Sequence, residues 1–416
     1  MTPKNDIYNY KHKLDMAKKK LEKADISDKN RELIEQFDRA CFMEGLSKPR
    51  RLKLIGTLII LAEKYLRSDF DAATKEDIKD IVIKIDSRED CSPWTKHSYK
   101  VIIKKFYKWL KFGDEYRMVN EYPPVVSWLR CNLKKKEQPR IKASDILTEE
   151  EVKKLIDVAE HSRDKAFISM LYELGARIGE IGSLRIKEVT RDKYGYIVDL
   201  EGKTGHRTPR IVISDPHITQ WLNTHPLRDK PESPLWIRIG HRVKEDKMTY
   251  GAFRELLLRL VARAGIKRRV YHHLFRHTRV THLLINKQIN EAQAKVYFGW
   301  VPDSKMLSEY SHLISSDVND AILAMHGIKT DKFKESPLKP RQCIRCSVIN
   351  SRDAKFCHKC GSVLDVNTAL DLDERRNQVD GIMTQLVKDP EVLQIILRKM
   401  AQMGLEDKFL KVTGKA

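Results

Sequence analysis

Residues 271–284 read YHHLFRHTRVTHLL, with four histidines and two arginines on a stretch whose apolar residues recur at helical spacing. Between residues 256 and 290 there are eight Lys or Arg residues and no Asp or Glu. Cations at this density cannot be neutralised within the stretch, so an external anion is the natural counter-charge. His273 and Arg276 are three residues apart, which places them on one helical face. The segment predicts an anion-binding helix, although one or two of its histidines would also suit a packed core.

The chain as a whole is strongly basic. It has 416 residues, enough for two or three domains, and 79 Lys or Arg against 58 Asp or Glu, a net charge of +21. Such a surplus favours nucleic acid or an anionic membrane surface as a partner, with a well-solvated basic protein as the alternative. The longest apolar run, residues 54–62, is too short to cross a bilayer, and the N-terminus does not resemble a signal peptide. We therefore expect a cytoplasmic protein without a membrane span, and the motifs further along the chain favour a nucleoid-associated protein over one that binds membranes.

The first third of the chain is predicted to be helical and to bind DNA. Within residues 98–112 (SYKVIIKKFYKWLKF), apolar residues recur at helical spacing, and lysines are repeated every four residues from Lys96 to Lys108. Like charges at this spacing repel each other, so a DNA-facing stripe is a better explanation than a solvated surface. The predicted DNA-binding residues are this stripe, the basic run that follows it and a second basic run before the histidine-rich helix: Lys96, Lys100, Lys104, Lys108, Lys134, Lys135, Lys136, Lys267, Arg268 and Arg269.

A second, mainly helical unit follows the basic run. Thr148 and Glu151 have the spacing of a capping box, which predicts a helix start. Two strand-like runs, YGYIVDL (residues 194–200) and TPRIVIS (residues 208–214), flank a predicted hairpin. The predicted fold class is therefore mainly α with a small β-sheet (α+β).

Four sequence boxes resemble those of tyrosine recombinases, the superfamily of phage integrases and Xer proteins. HLFRH (residues 273–277) with THLL (residues 281–284) resembles the family's HxxRH box, and GARIGEIGSL (residues 175–184) resembles its first arginine box. EGKTGHRTPRIVI (residues 201–213) resembles the hairpin that carries the family's lysine, and GWVPDSKMLSEYSHL (residues 299–313) resembles the closing tyrosine box, in a form closer to archaeal members. The boxes occur in the family's order.

The resemblance implies a set of site residues. The catalytic residues would be Arg177, Lys203, His273, Arg276, Trp300 and the nucleophile Tyr310, with Glu180 in support and His277 and His312 as weaker candidates. Trp300 departs from the histidine that many members carry, and an indole cannot shuttle a proton. From spacing alone, Tyr310 would be a packed aromatic residue, because Met306 and Leu313 share its helical face.

Four of the seven cysteines form a separate cluster. Cys343 and Cys346 form one CxxC pair, Cys357 and Cys360 the other, and ten residues lie between the pairs. Four thiolates in two such turns suit tetrahedral zinc, so we predict a structural Zn²⁺ in a small ribbon. A redox pair is the alternative, but neither CxxC has a thioredoxin-like strand and helix around it.

The predicted domain order is an arm, two DNA-binding domains, a ribbon and a tail. The boundaries are a basic N-terminal arm (1–26), a helical core-binding domain (27–133), a basic linker (134–147), the catalytic domain (148–328), a second linker (329–341), the four-cysteine zinc ribbon (342–366) and an amphipathic helical tail (367–416).

The resemblance also implies an activity and partners. A site-specific recombinase of this kind cleaves and rejoins strands through a 3′-phosphotyrosyl intermediate and needs no cofactor for catalysis. The product would be integration, excision or resolution of a mobile element or replicon. Its partner would be double-stranded DNA with paired half-sites, bound by a dimer and, in the synapse, by a tetramer. A catalytically silent DNA-binding regulator and a strand-relaxing enzyme of the type IB topoisomerase kind are the alternatives.

Overall fold

The protein has two helical units followed by a small cysteine-rich unit and a pair of helices. The structure, a computed structural model, describes residues 6–132, 142–202, 205–239, 246–285, 289–304, 306–307, 325–326 and 336–404. The predicted fold class is confirmed, since helices dominate and the strands are short. The predicted residues Lys134, Lys135, Lys136, Lys203, Tyr310 and His312 lie outside the described residues.

The first unit is a group of helices around one hydrophobic cluster. Its helices are α1 (Tyr10–Lys23), α2 (Asp28–Met43), α3 (Lys48–Lys64), α4 (Lys75–Asp86), α5 (Pro93–Phe112) and α6 (Pro124–Ser127). Phe37, Phe70 and Phe106 are almost completely buried at its centre and meet edge to face. The segment predicted as a basic arm contains α1, whose Leu14 and Leu21 are buried in the same cluster.

The second unit surrounds a larger cluster. Its helices are α7 (Glu149–Asp157), α8 (Ser162–Leu174), α9 (Ile178–Gly182), α10 (Asp215–Thr224), α11 (Tyr250–Arg263), α12 (His272–Ile285) and α13 (Glu291–Phe298). The strands are β1 (Val189–Asp192), β2 (Gly195–Val198), β3 (Leu200–Gly202), β4 (Gly205–Arg207) and β5 (Arg210–Ile211). Trp221, Trp236 and Phe253 are buried in the cluster, and β1, β2 and β5 form an antiparallel sheet beside it.

Local sequence signals set the boundaries of two elements near the site. The predicted capping box is present, because the Thr148 hydroxyl accepts a hydrogen bond from Glu151 N at 3.1 Å and the Glu151 carboxylate accepts one from Thr148 N at 2.9 Å. Helix α8 ends at Gly175, whose φ of 50° is left-handed, and a Cβ there would lie 2.7 Å from the Phe298 ring. A glycine is therefore required at this turn.

Part of the predicted linker is buried in the second unit, and the predicted hairpin is present. Ile146 and Leu147, assigned to the linker from sequence, are buried, and Leu147 N donates to the Thr278 hydroxyl at 3.2 Å. The predicted hairpin is present in the described residues, since β3 pairs with β4 and Gly202 lies opposite Gly205. The structure adds β1, which extends the two predicted strands to a three-stranded sheet.

The cysteine-rich unit packs on the second unit, and the last helices extend from it. Strands β6 (Arg341–Gln342) and β7 (Ile349–Asn350) pair within the cysteine-rich unit. Its Asp353 forms an ion pair with Lys153 of α7 at 2.7 Å. The tail contains α14 (Val366–Lys388) and α15 (Pro390–Gln402), and no residue of either helix is buried. Among the described residues, no helix has both the length and the apolar character that a membrane span requires.

Candidate active site

The first predicted catalytic arginine lies in a glycine-rich turn and is held by the acid predicted to support it. Arg177 is the N-cap residue of α9, and Glu180 is in the first turn of that helix. The Glu180 carboxylate accepts hydrogen bonds from Arg177 Nη1 at 2.8 Å and from Arg177 N at 3.1 Å. The Arg177 side chain is 35% exposed while that of Glu180 is 4% exposed, so the guanidinium is accessible from solvent and its support is not.

Glu180 has a second cationic partner that the sequence analysis missed. Arg207, on β4, donates from Nη2 to Glu180 Oε2 at 2.7 Å and from Nε to the Tyr297 carbonyl at 3.1 Å. Burial alone would raise the pKa of Glu180, but the hydrogen bonds and charges of Arg207 and Arg177 outweigh it and lower that pKa. Glu180 is therefore a buried carboxylate shared by two arginines.

The second predicted catalytic arginine connects the histidine-rich helix to two other boxes. Arg276 is 2% exposed, and its guanidinium donates to the Gly175 carbonyl at 3.1 Å and to the Phe298 carbonyl at 2.8 Å. Its Cζ also lies 5.4 Å from the centroids of the Phe298 and Trp300 rings, within the range of a cation–π contact. Residues from α12, the turn after α8 and the end of α13 therefore meet at one guanidinium.

Trp300 is part of the packing around this arginine. It is 8% exposed and its ring centroid lies 5.3 Å from that of Phe298. The indole therefore forms one wall beside Arg276.

His273 and His277 lie side by side on α12. Their ring centroids are 4.6 Å apart and the rings are almost perpendicular, at 89°. Desolvation, followed by the positive charges of Arg276 and Arg177, lowers the pKa of His273. Desolvation, followed by the charges of His273 and Arg276, lowers the pKa of His277 to about 4. Both imidazoles are therefore neutral near pH 7, and His273 is electrostatically coupled to both arginines.

The lysines of the predicted DNA-binding stripe have contact partners within the protein. Its described members on α5 are Lys96, Lys100, Lys104 and Lys108. Lys96 donates to the Asp86 carbonyl at 2.7 Å, and Lys100 forms an ion pair with the Asp86 carboxylate at 2.6 Å. Lys104 and Lys108 have Nζ atoms 4.2 Å and 4.9 Å from the centroid of the Tyr122 ring. These contacts offset the repulsion on which the sequence argument relied, and the role of the stripe in DNA binding remains a prediction.

The three basic residues before α12 differ in their surroundings. Arg268 donates to the Ser144 and Ile146 carbonyls at 2.8 and 2.7 Å and forms an ion pair with Glu151 at 2.5 Å. Lys267 and Arg269 are exposed. Arg268 therefore holds the end of the linker against α7, whereas its two neighbours face solvent and their role in DNA binding remains a prediction.

The four clustered cysteines converge on one point. Their sulfur atoms all lie within 4.8 Å of one another, with 3.7 Å between Cys343 and Cys360 and 3.6 Å between Cys346 and Cys357. Four sulfurs each about 2.3 Å from one zinc ion in a tetrahedron would be separated by about 3.8 Å. The arrangement therefore fits a tetrahedral metal ion.

The chain is similar in sequence to known recombinases. Residues 145–316 match the family described as the phage integrase family. The chain is 26% identical over 260 residues to the tyrosine recombinase XerA of Pyrococcus horikoshii, a match that covers 61% of this chain and 80% of the relative. It is 33% identical over 140 residues to XerA of Pyrococcus furiosus, a match that covers 33% of this chain and 47% of that relative.

The fold is similar to that of a solved recombinase. The crystal structure of the XerH site-specific recombinase bound to a palindromic difH substrate aligns with a TM-score of 0.51 at 16% identity, covering 77% of this chain and 98% of that one. The fold, the site and the sequence matches together define an enzyme of the tyrosine recombinase class. Residues 145–316 match the phage integrase family, and in sequence the chain is similar to tyrosine recombinases.

Proposed function

We propose that the protein cleaves and rejoins DNA strands at defined sites with Tyr310 as the nucleophile. The Tyr310 phenolic oxygen attacks the scissile phosphorus, the bond from phosphorus to the 5′-oxygen breaks, and a 3′-phosphotyrosyl ester forms. Because the ester keeps the bond energy of the phosphodiester, a 5′-hydroxyl can attack it and rejoin strands without ATP. The reaction uses no cofactor.

The observation that supports the proposal is the convergence of three boxes on one site. Arg276 donates a hydrogen bond to the carbonyl of Gly175, two residues before Arg177. After burial, the charges of both arginines lower the pKa of His273. The HxxRH box, the first arginine box and the end of α13 are far apart in sequence, so folding has to assemble them. Planar guanidinium groups match the geometry of phosphoryl oxygens.

Each residue of the site has a role in this mechanism. Arg177 and Arg276 neutralise the charge that develops on the non-bridging oxygens, and Glu180 holds Arg177 in place. His273 accepts the proton of Tyr310, for which its lowered pKa keeps it neutral. Lys203 donates a proton to the leaving 5′-oxygen. Trp300 packs against Arg276 and transfers no proton.

The DNA partner would be a duplex with paired half-sites, and the assembly a dimer that becomes a tetramer in the synapse. The net charge of +21 supports this partner, as do the exposed Lys267 and Arg269. The biological outcome would be integration, excision or resolution of a mobile element or replicon. The protein would therefore work on DNA in the cytoplasm.

The cysteine-rich unit would be a structural zinc ribbon. Cys343, Cys346, Cys357 and Cys360 would hold the ion, which would fix the fold of this unit. Backbone hydrogen bonds help to lower the pKa of Cys343 and Cys357, whereas burial and hydrogen bonds to the other three sulfurs raise the pKa of Cys346. Zinc would bind all four as thiolates.

A covalent-trapping assay tests the proposed chemistry. The protein and a Tyr310→Phe variant would each be incubated with a library of nicked duplex fragments from the source DNA, without divalent metal. The mixtures would then be denatured, and DNA-linked protein would be recovered and the linked peptide sequenced. We expect an adduct on Tyr310 that the variant lacks.

The other outcomes distinguish the alternatives. Tight DNA binding without any adduct would indicate a catalytically silent regulator. An adduct that forms equally on all duplexes and relaxes supercoiled DNA would indicate the topoisomerase kind of enzyme. An adduct on another residue would show that Tyr310 is not the nucleophile.

A further inference from the structure

The first described residues of the chain form a short, ordered turn before α1. The Asp6 carboxylate accepts hydrogen bonds from Tyr8 N at 2.8 Å and from Tyr10 N at 2.7 Å. Asn9 has a left-handed backbone with φ of 55°, a conformation that asparagine tolerates better than most residues. The turn fixes the direction in which Ile7 and Tyr8 point relative to α1.

Residues 6–10, here called the N-terminal turn, are anchored in the catalytic domain. Ile7 is 3% exposed and belongs to the hydrophobic cluster of that domain, and its carbonyl accepts from Tyr250 N at 2.9 Å. The Tyr8 ring stacks on those of Tyr250 and Tyr10, with centroids 5.2 and 5.0 Å away. Helix α1, which follows at once, packs in the other hydrophobic cluster. The N-terminal turn therefore links the two units, because it continues covalently into α1 and packs non-covalently on the second unit.

The contact falls on the turn that carries Arg177. A Cβ on Gly179 would lie 3.2 Å from Tyr8 Cε2 and 3.4 Å from its hydroxyl oxygen, and one on Gly182 would lie 2.9 Å from Ile7 Cδ1. Neither glycine has a positive φ. Their backbone conformation would accept a side chain. Glycine at these positions therefore provides the space in which Ile7 and Tyr8 approach the helix closely.

Glu180 lies between these two glycines and holds Arg177. The same short helix therefore presents one side to the N-terminal turn and supports the catalytic arginine through Glu180. The Glu180 charge is also among the causes that raise the pKa of Tyr8, after its burial and the neighbouring Tyr10, Tyr250 and Asp6, which is consistent with their proximity.

We propose that the N-terminal turn is a positioning element for the Arg177 turn, and that it couples the placement of the first helical unit to the geometry of the active site through the packing of Tyr8 on Gly179. This inference rests on the proposed strand-transfer function. Tyr8 acts through Gly179 and Glu180 and does not touch DNA in this role. A small displacement of Arg177 would weaken its contact with the scissile phosphate, because catalytic charge stabilisation depends on preorganised geometry.

A double-mutant cycle tests the contact. The substrate would be a nicked duplex identified in the trapping assay. The rate of covalent adduct formation on it would be measured for Tyr8→Ala, Gly179→Ala and the double variant. Each single change is expected to slow the reaction about tenfold, and the double variant also about tenfold, because loss of the Tyr8 ring and an added methyl group at Gly179 disrupt the same contact. A slowing of about a hundredfold in the double variant would mean independent effects and would overturn the proposal.

Three controls separate positioning from loss of fold or of function. Tyr8→Phe keeps the stacked ring and should react at close to the wild-type rate, and Tyr194→Ala changes an exposed tyrosine away from the turn. Duplex affinity and thermal midpoint should change little in Tyr8→Ala, while its adduct rate falls; a parallel loss of all three would show a merely structural role. If the wild-type protein forms no adduct, the proposed function fails first. If it does and Tyr8→Ala matches it, only the present inference fails.

Discussion

Arg207 and Glu180 form a buried ion pair, with 2.7 Å between Nη2 and Oε2 and side chains that are 8% and 4% exposed. Through it, the hairpin that carries Lys203 is joined to the carboxylate that holds Arg177. Two boxes of the site thus share one hydrogen-bonded support.

Replacing Arg207 with alanine should impair both stability and catalysis. Loss of one partner of a buried pair costs about 3–5 kcal/mol of unfolding free energy. Misplacement of Arg177 should slow adduct formation about a hundredfold. Arg207→Lys keeps the charge but not the planar fork, so we expect an intermediate rate. Chemical denaturation and the trapping assay measure the two effects.

The matched control for this prediction is Arg210→Ala on β5, the next strand along the chain. Arg210 forms an ion pair with Asp192 in which both side chains are 37% exposed. Exposed pairs contribute about 1 kcal/mol or less, so this variant should be close to wild type in both assays. Equal losses in the two variants would contradict a specific role for Arg207.

Trp300→Ala should destabilise the pocket around Arg276. The change removes a buried ring that contacts both Phe298 and the Arg276 guanidinium, at a cost of about 3–5 kcal/mol in unfolding free energy. Trp300→Phe keeps an aromatic wall and should lose less. Trp94→Ala, at a position 50% exposed, is the control and should change stability by about 0.5 kcal/mol or less. A Trp300→Ala variant as stable as the control would refute the packing role.

The lowered pKa of His277 predicts an acid-sensitive fold. In the unfolded chain this histidine takes up a proton near its ordinary pKa of about 6.5, whereas in the folded protein it stays neutral down to about 4. The unfolded state binds more protons in this window, so stability is present above about pH 6.5 and falls as the pH is lowered towards 4.

Denaturant midpoints at several pH values check this prediction. His277→Gln should reduce the fall in stability between pH 7 and 5, since the variant has no imidazole to protonate at this position. His12→Gln, which changes a histidine on the exposed surface, is the control. An unchanged pH dependence in the His277 variant would show that other groups cause the acid sensitivity.

Zinc removal should affect the cysteine-rich unit and leave the strand-transfer chemistry in place. We expect about one zinc ion per chain by elemental analysis, and loss of that ion in Cys357→Ser. Cys91→Ser changes a cysteine outside the cluster and should retain the metal. Adduct formation on a short duplex should persist after chelation. A zinc-free protein with an unchanged ribbon fold would contradict the proposed metal site.

Much of the active site could be predicted from sequence because its chemistry is local. HLFRH places His273 and Arg276 on one helical face, and the capping box at Thr148 and Glu151 needs only neighbouring residues. Arg177 and Glu180 were indicated by the resemblance to the family's arginine box, and their ion pair needs only three residues on one turn. The convergence of the four cysteines likewise follows from two CxxC turns.

Only the tertiary structure decided which distant residues meet. The sequence did not indicate which arginine would reach Glu180. Strand pairing sets the register, which directs Arg207 towards Glu180 and leaves Arg210 paired with Asp192. Spacing alone predicted that the positive charges of the α5 lysines have no partner in the protein. Their partners, Asp86 and Tyr122, come from other segments of the chain. The docking of Tyr8 on Gly179 joins residues 171 positions apart. Helical and turn patterns depend on nearby residues, but contacts between segments depend on packing over the whole chain, and no local pattern encodes them.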